Sequence, residues 1–253
     1  MNRSYDLSSR ASHQSGVIKT QREERRTTGR RVMDHALIGK HPIASSIFRS
    51  LLYVTITAGV LKTILYATQH MDAEIFFAEN GMIEWFQLGL LMSCAVMLKL
   101  ASIQMQELRQ GFHMLALLPL IASVRELDNV LDTYVFDGAW QLLVTGLLLY
   151  AFAFARKNYQ VLRQQILYIF SFPPIGLLVS GFITVIVFSR LLGQQLFWQT
   201  VLQEEYLRLV GRVVEESCES FGYLLLLFGC IEFLIFAFSS RSNRHSSSEK
   251  INV

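Results

Sequence analysis

The sequence predicts an all-α integral membrane protein, a helical bundle of about six transmembrane helices with both termini cytoplasmic. Three observations carry that expectation. The 253-residue chain is 52% hydrophobic and only 17% charged, and its apolar residues fall in long runs separated by short polar stretches. Each run can supply most of the roughly 20 helical residues that cross about 30 Å of hydrocarbon. The basic residues are one-sided. With the N-terminus inside, 18 of the 23 Lys and Arg fall in segments 1–50, 99–111, 156–165 and 240–253, and four in 70–83, 125–137 and 190–219. Every loop then obeys the positive-inside rule.

Residues 1–46 form a basic tail with "QREERRTTGRR" at its centre. It lacks apolar periodicity, so it is expected to be mostly disordered and to contact anionic lipid weakly through its charge. The first apolar run arrives too late for a secretory signal and has no small-residue cleavage site, so the first span is expected to stay as an anchor. The spans are expected at about 47–68, 82–100, from 112, 138–155, 166–192 and 221–239. Together they make a membrane domain, 47–239, ahead of a polar cytoplasmic tail, 240–253. In the fifth, Pro173 and Pro174 remove backbone donors and should kink or break the helix.

The third span is the irregular one. "LPLIASVRELDNVLD" (118–132) brings Arg125 to roughly 20 Å from Phe112, short of a full crossing. Leu127, Val130 and Leu131 stay apolar, while Arg125, Asp128, Asn129 and Asp132 recur at i, i+3 and i+4. The segment therefore reads as a continuing helix whose polar stripe faces a bundle interior or a water-filled cavity.

Acidic residues are one-sided in the opposite sense. The outward segments hold 12 of the 20 Asp and Glu, and Glu84 lies just inside the second span on that side. Orientation does not require this, because acids contribute little to topology. Three clusters result. After the Asn80-Gly81 turn signal, Glu84 opens the second span, where a carboxylate suits the helix dipole, and Gln87 lies one turn deeper. The third span contributes Arg125, Glu126, Asp128 and Asp132. An amphipathic helix running into the sixth span contributes Glu216 and Glu219, with Arg212 placed to pair with Glu216. Lys62 is expected about 10 Å from the outer end of the first span, within reach of Glu84, Glu126 or Glu219. Glu232, toward the cytoplasmic half, stands apart.

"ENGMIEW", "RELD" and "EESCES" together resemble bacterial multi-pass inner-membrane proteins over most of residues 75–239. That likeness implies the architecture and an inner-membrane location, and no particular activity. Asp72, Glu74, Asn80 and Glu84 are also loosely similar to the acidic segment of the alkaline ceramidase superfamily, which implies a zinc hydrolase. The six histidines (His13, His35, His41, His70, His113 and His245) contain no H-x-x-x-H pair, so that chemistry lacks its residues. Nor do the three cysteines keep metal-ligand or disulfide spacing. No nucleic-acid module is present, so no nucleic-acid partner is expected.

Three functions remain. The first is ion or proton binding or transport at an outward-facing carboxylate cluster, with Lys62 and Arg125 as its cations. The second is a structural or assembly subunit whose charges fix helix packing. The third is a membrane enzyme acting on a lipid, with a divalent cation held by the carboxylates.

Overall fold

A computed structural model describes residues 43–78, 80–205 and 207–249, with side chains at 45–78, 80–204 and 207–239. The basic tail expected at 1–46 thus lies almost wholly outside the described residues. Residues 44–241 form one compact unit, and its regular structure among the described residues is helical.

In chain order the helices are α1 (Ile43–His70), the single turn α2 (Ala73–Phe76), α3 (Met82–Gln104) and α4 (Arg109–Glu126). They continue with α5 (Asp128–Tyr134), α6 (Ala139–Lys157) and α7 (Tyr159–Ile169). Next comes α8 (Ile175–Ile183), prolonged by a π-helical segment (Thr184–Ser189) and by Arg190–Leu192. The last two are α9 (Gln195–Leu202) and α10 (Arg208–Glu249).

Among the described residues five stretches are long and apolar enough to cross a membrane: Ser45–His70, Met82–Gln104, Ala139–Lys157, Ile175–Leu192 and Arg208–Ser239. Their outer faces are bare of protein. Phe48, Val54, Leu149 and Phe188 are all more than half exposed. Water-facing monomers rarely tolerate contiguous apolar patches above a few hundred Å², so the surface is one that lipid covers. The interior, by contrast, holds Gln87, Ser123, Ser189, Glu219 and Ser220 in full burial. Of the six expected spans the third, which corresponds to α4, falls short of the same apolar measure. Arg109, Gln110 and His113 stand at one end and Arg125 and Glu126 at the other. Its 18 residues still extend about 27 Å, and Phe112 near its start and Ala116 and Leu117 at its middle are buried.

Three boundaries differ from the sequence expectation. The third span does not continue through residues 125–132. It ends at Glu126, Leu127 leaves helical geometry at φ −97° and ψ 12°, and α5 starts at once. The cause is local: the Asp128 carboxylate accepts the Asn129 N–H at 2.6 Å, the donor that an unbroken helix would give to the carbonyl of Arg125. The fifth span begins at Ile175 rather than at 166, because the chain turns at Phe170–Pro174 and leaves α7 as a separate helix. The sixth span and its amphipathic lead are one helix, which runs past Ser239 to Glu249 and measures about 63 Å.

Close packing holds α8 to α10. A Cβ on Gly222 would meet Val185 Cγ2 at 2.5 Å and the Gly181 carbonyl at 3.0 Å, and one on Gly181 would meet the Gly222 carbonyl at 2.7 Å. Small residues let backbones approach where lipid supplies no hydrophobic drive between helices. Gly222→Val should therefore cost about 1–3 kcal/mol by overpacking, read as a lower melting temperature in detergent. Gly59→Ala, on α1 with nothing within 4 Å of the new methyl, should leave that temperature unchanged or raise it. Equal melting temperatures for the two variants would refute this contact.

Candidate functional site

The end of the bundle bearing the N-termini of α3 and α10 encloses a cavity of about 630 Å³. Its lining includes Glu84 from α3, Arg125 and Glu126 from α4, and Asp128 and Asp132 from α5. Arg190, Arg208, Arg212, Glu215, Glu216, Glu219 and the indole of Trp140 also line it. Among the described residues seven carboxylates thus face four guanidinium groups, a formal excess of three negative charges.

The deepest acid is Glu219, 3% exposed. Its Oε1 accepts from Ser189 Oγ at 2.9 Å and lies 3.0 Å from Arg190 Nη2, while its Oε2 is 3.8 Å from Arg125 Nη2. Two of these partners come from the junction where the π-helical segment of α8 ends. Widening a helix by one residue per turn rotates every residue beyond the widened turn, and such segments frequently sit at functional sites. Here the junction presents Ser189 and Arg190 to the same carboxylate. Arg190 Nη1 also reaches Glu215 Oε1 at 2.6 Å, and Gly193 beside it leaves room: a Cβ there would meet the Glu215 carboxyl at 2.6 Å. Across the cavity, Arg125 Nη2 pairs with Glu126 Oε1 at 2.9 Å, and the same oxygen accepts from Tyr223 Oη at 2.8 Å. A chain of ion pairs therefore links α4, the end of α8 and α10.

Glu216 stands outside that chain. Its Oε2 and its own backbone carbonyl accept from Gln87 Nε2 at 2.9 and 3.1 Å, and among the described residues it has no cationic partner. Gln87 is fully buried, its Nε2 also reaches Ser220 Oγ at 3.2 Å, and its Oε1 has no hydrogen-bond partner among the described residues.

The remaining acids serve local structure as well as lining the cavity. Glu84 Oε2 accepts from the N–H of Asn80 at 2.6 Å, closing the turn in which Asn80 takes φ 64°. Glu84, at the third helical position, thus reaches back past the N-cap Gly81 to the residue before it. Asp132 Oδ1 accepts from the Gly138 N–H at 3.0 Å, and Gly138, at φ 87°, takes the left-handed turn into α6 that a Cβ would strain.

Of the residues expected in the cluster, Glu84, Arg125, Glu126, Asp128, Asp132, Glu216 and Glu219 line this cavity. Lys62 does not. The face of α1 that packs inward carries Tyr53, Val60, Ile64 and Ala67. Two residues after Val60, Lys62 points about 200° away from it around the helix, is exposed, and forms none of the pairings with Glu84, Glu126 or Glu219 expected for it. Arg190 and Glu215 were not expected as partners. Among the described residues no group of three or more His, Cys, Asp or Glu side chains is disposed to hold a metal ion, and Glu126, Glu215 and Glu219 pair with arginines.

Nearer the other end of α10, Glu232 has partners of its own. Its carboxylate takes Arg49 Nε at 2.7 Å and Nη2 at 3.2 Å, and Tyr53 Oη at 2.8 Å. The Tyr53 ring stacks on Phe228 with centroids 4.3 Å apart. This forked pair fastens α1 to α10.

Comparison with protein-family models, with curated proteins and with solved structures gave no match.

Arg190→Ala should destabilise the bundle by about 2 kcal/mol, less than the 3–5 typical of a fully enclosed pair because Arg190 is 45% exposed. Adding Glu219→Gln should recover part of that loss, since the stranded charge goes with it. Denaturant melts of the four proteins in this cycle check it, and strict additivity would count against the pairing.

Proposed function

We propose that this multi-pass helical membrane protein binds ions or protons in its carboxylate-lined cavity, as the binding site of a transport cycle, with Glu216 as the exchanging group. The observation that carries the reading is the contrast along one helix. Glu215 and Glu219 meet arginine, while Glu216 between them meets only a neutral amide. Intramembrane carboxylates are costly to hold charged and typically mark proton or cation pathways. A carboxylate without a fixed cation, beside a buried amide oxygen without a donor, is where an added proton or small cation gains most. A protonated Glu216 could donate to a turned Gln87 amide, and a cation could take oxygen from both residues. The formal excess of negative charge in the wall supports the same reading.

On the positive-inside argument the cavity faces outward, with the chain's termini in the cytoplasm and the bundle in a bacterial inner membrane. Under that orientation α4, the third span, also crosses and brings the total to six, its apolar middle screened from lipid by neighbouring helices.

The test is flux. Purified protein in proteoliposomes should move protons or monovalent cations down an imposed gradient, Glu216→Gln should abolish that movement, and Glu126→Gln should reduce it. Full flux in both variants, or none in the parent, would overturn the reading.

One observation favours a second reading, a structural or assembly subunit. The Glu126–Arg125–Glu219–Arg190–Glu215 chain ties three helices together, as a network that specifies packing would. It predicts that Arg125→Ala lowers the melting temperature sharply while Glu216→Gln changes neither stability nor flux.

A further inference from the structure

We propose a second binding site, for a phosphate-bearing anion, at the opposite end of the bundle from the carboxylate cavity. Lys99, Arg109, His113 and Tyr150 build it. Lys99 lies about 7 Å before the end of α3, His113 about 6 Å after the start of α4, and Tyr150 about 10 Å before the end of α6. The three helices thus bring their polar groups to one level, close to where a span meets lipid headgroups. Lys99 Nζ is 3.1 Å from His113 Nδ1, and His113 Nε2 is 2.9 Å from Tyr150 Oη. Arg109 precedes His113 by four residues, so both side chains lie on one face of α4. The imidazole is held edge-on by Phe154, with centroids 5.0 Å apart.

The chemistry of these contacts has a direction. An ammonium group has donors and no acceptor, so Nδ1 accepts from Lys99, and the ring proton sits on Nε2 and is donated to the Tyr150 oxygen. That leaves the phenolic hydrogen of Tyr150 and two ammonium hydrogens of Lys99 undirected. Among the described residues no carboxylate pairs with Lys99 or Arg109. Two basic side chains and a hydroxyl, with no carboxylate among them, match the oxygens of a phosphate group. The headgroup of an anionic lipid and a free phosphate present the same oxygens. Position at a helix-end level on the lipid-facing surface favours the headgroup, and the ring of His113 orients the donors while Phe154 supplies an apolar shelf.

The test uses the full chain in detergent, titrated with short-chain phosphatidylglycerol, with phosphatidylcholine and with inorganic phosphate, and monitored by thermal shift and native mass spectrometry. The expected result is saturable retention of phosphatidylglycerol, with at most weak binding of phosphatidylcholine. Lys99→Gln with Arg109→Gln should raise the dissociation constant by on the order of tenfold or more, as loss of charge-assisted contacts does. Tyr150→Phe, which removes a single donor from an exposed ring, tests the same site without a change of charge and should weaken binding by a few-fold. Inorganic phosphate competing with the lipid would assign the site to a free anion, still through these residues. Retention of phosphatidylglycerol unchanged in both variants overturns the proposal, because the basic N-terminal tail would then be the remaining source of affinity. None of these residues lines the carboxylate cavity, so failure here leaves the flux experiment untouched.

Discussion

The buried charge of Glu219 constrains the rest of the bundle. A carboxylate 3% exposed among apolar helices loses its hydration, and a nearby cation compensates only if hydrogen bonds also satisfy its oxygens. Arg190 and Ser189 must therefore reach one oxygen and Arg125 approach the other. That requirement explains features that look unrelated. The π-helical segment of α8 delivers Ser189 and Arg190 at one junction. The Gly181–Gly222 contact lets α8 lie close enough to α10 for those side chains to reach. Termination of α4 at Glu126 places Arg125 in its last turn, where a cation also suits the negative end of the helix.

The long spans were legible in the sequence because lipid imposes a length and a polarity that few other environments demand. α3 begins at Met82, and α6 runs Ala139–Lys157, within a residue or two of the apolar runs. The break at Leu127 was not legible. Apolar Leu127, Val130 and Leu131 keep helical spacing on both sides of it, and what ends the helix is one carboxylate taking one backbone donor. Periodicity measures a face and is blind to such local competition.

The site was legible by depth and not by azimuth. Glu84, Glu126, Glu216 and Glu219 share a level that residue counting yields, because a rise of 1.5 Å per residue is nearly invariant. Lys62 shares that level too, yet direction around α1 depends on which face packs, and α1 buries the stripe through Val60, Ile64 and Ala67. Those small and β-branched residues at three- and four-residue spacing were the available signal. Arg190 is hidden for the opposite reason: its charge groups it with the outward loop, although it closes the fifth span. Glu232 carried a usable hint as well. An acid inside a span calls for a partner at its own depth, and Arg49, six residues after the start of α1, is the cation at that end.

Glu215, Glu216 and Glu219 then illustrate how one short stretch of helix separates roles. Successive residues point 100° apart, so Glu215 meets the guanidinium at the end of α8 while Glu216 turns toward α3 and finds Gln87. Glu219, three residues on from Glu216, is nearly back on the same face but one turn deeper, where Arg190 and Arg125 converge. Four arginines cannot neutralise seven carboxylates in one cavity. The imbalance persists even where individual pairs are well made, because Arg190 is shared between Glu215 and Glu219, and Arg125 between Glu126 and Glu219. Each shared cation leaves part of a negative charge for something else to balance, and Glu216, like Asp128 and Asp132, has no ion-pair partner among the described residues. A cavity that only fixed helix packing could have been built neutral, with Gln at position 216 in the same hydrogen bond. That surplus of negative charge is the feature that packing alone does not explain, and the proposed binding of a proton or cation rests on it.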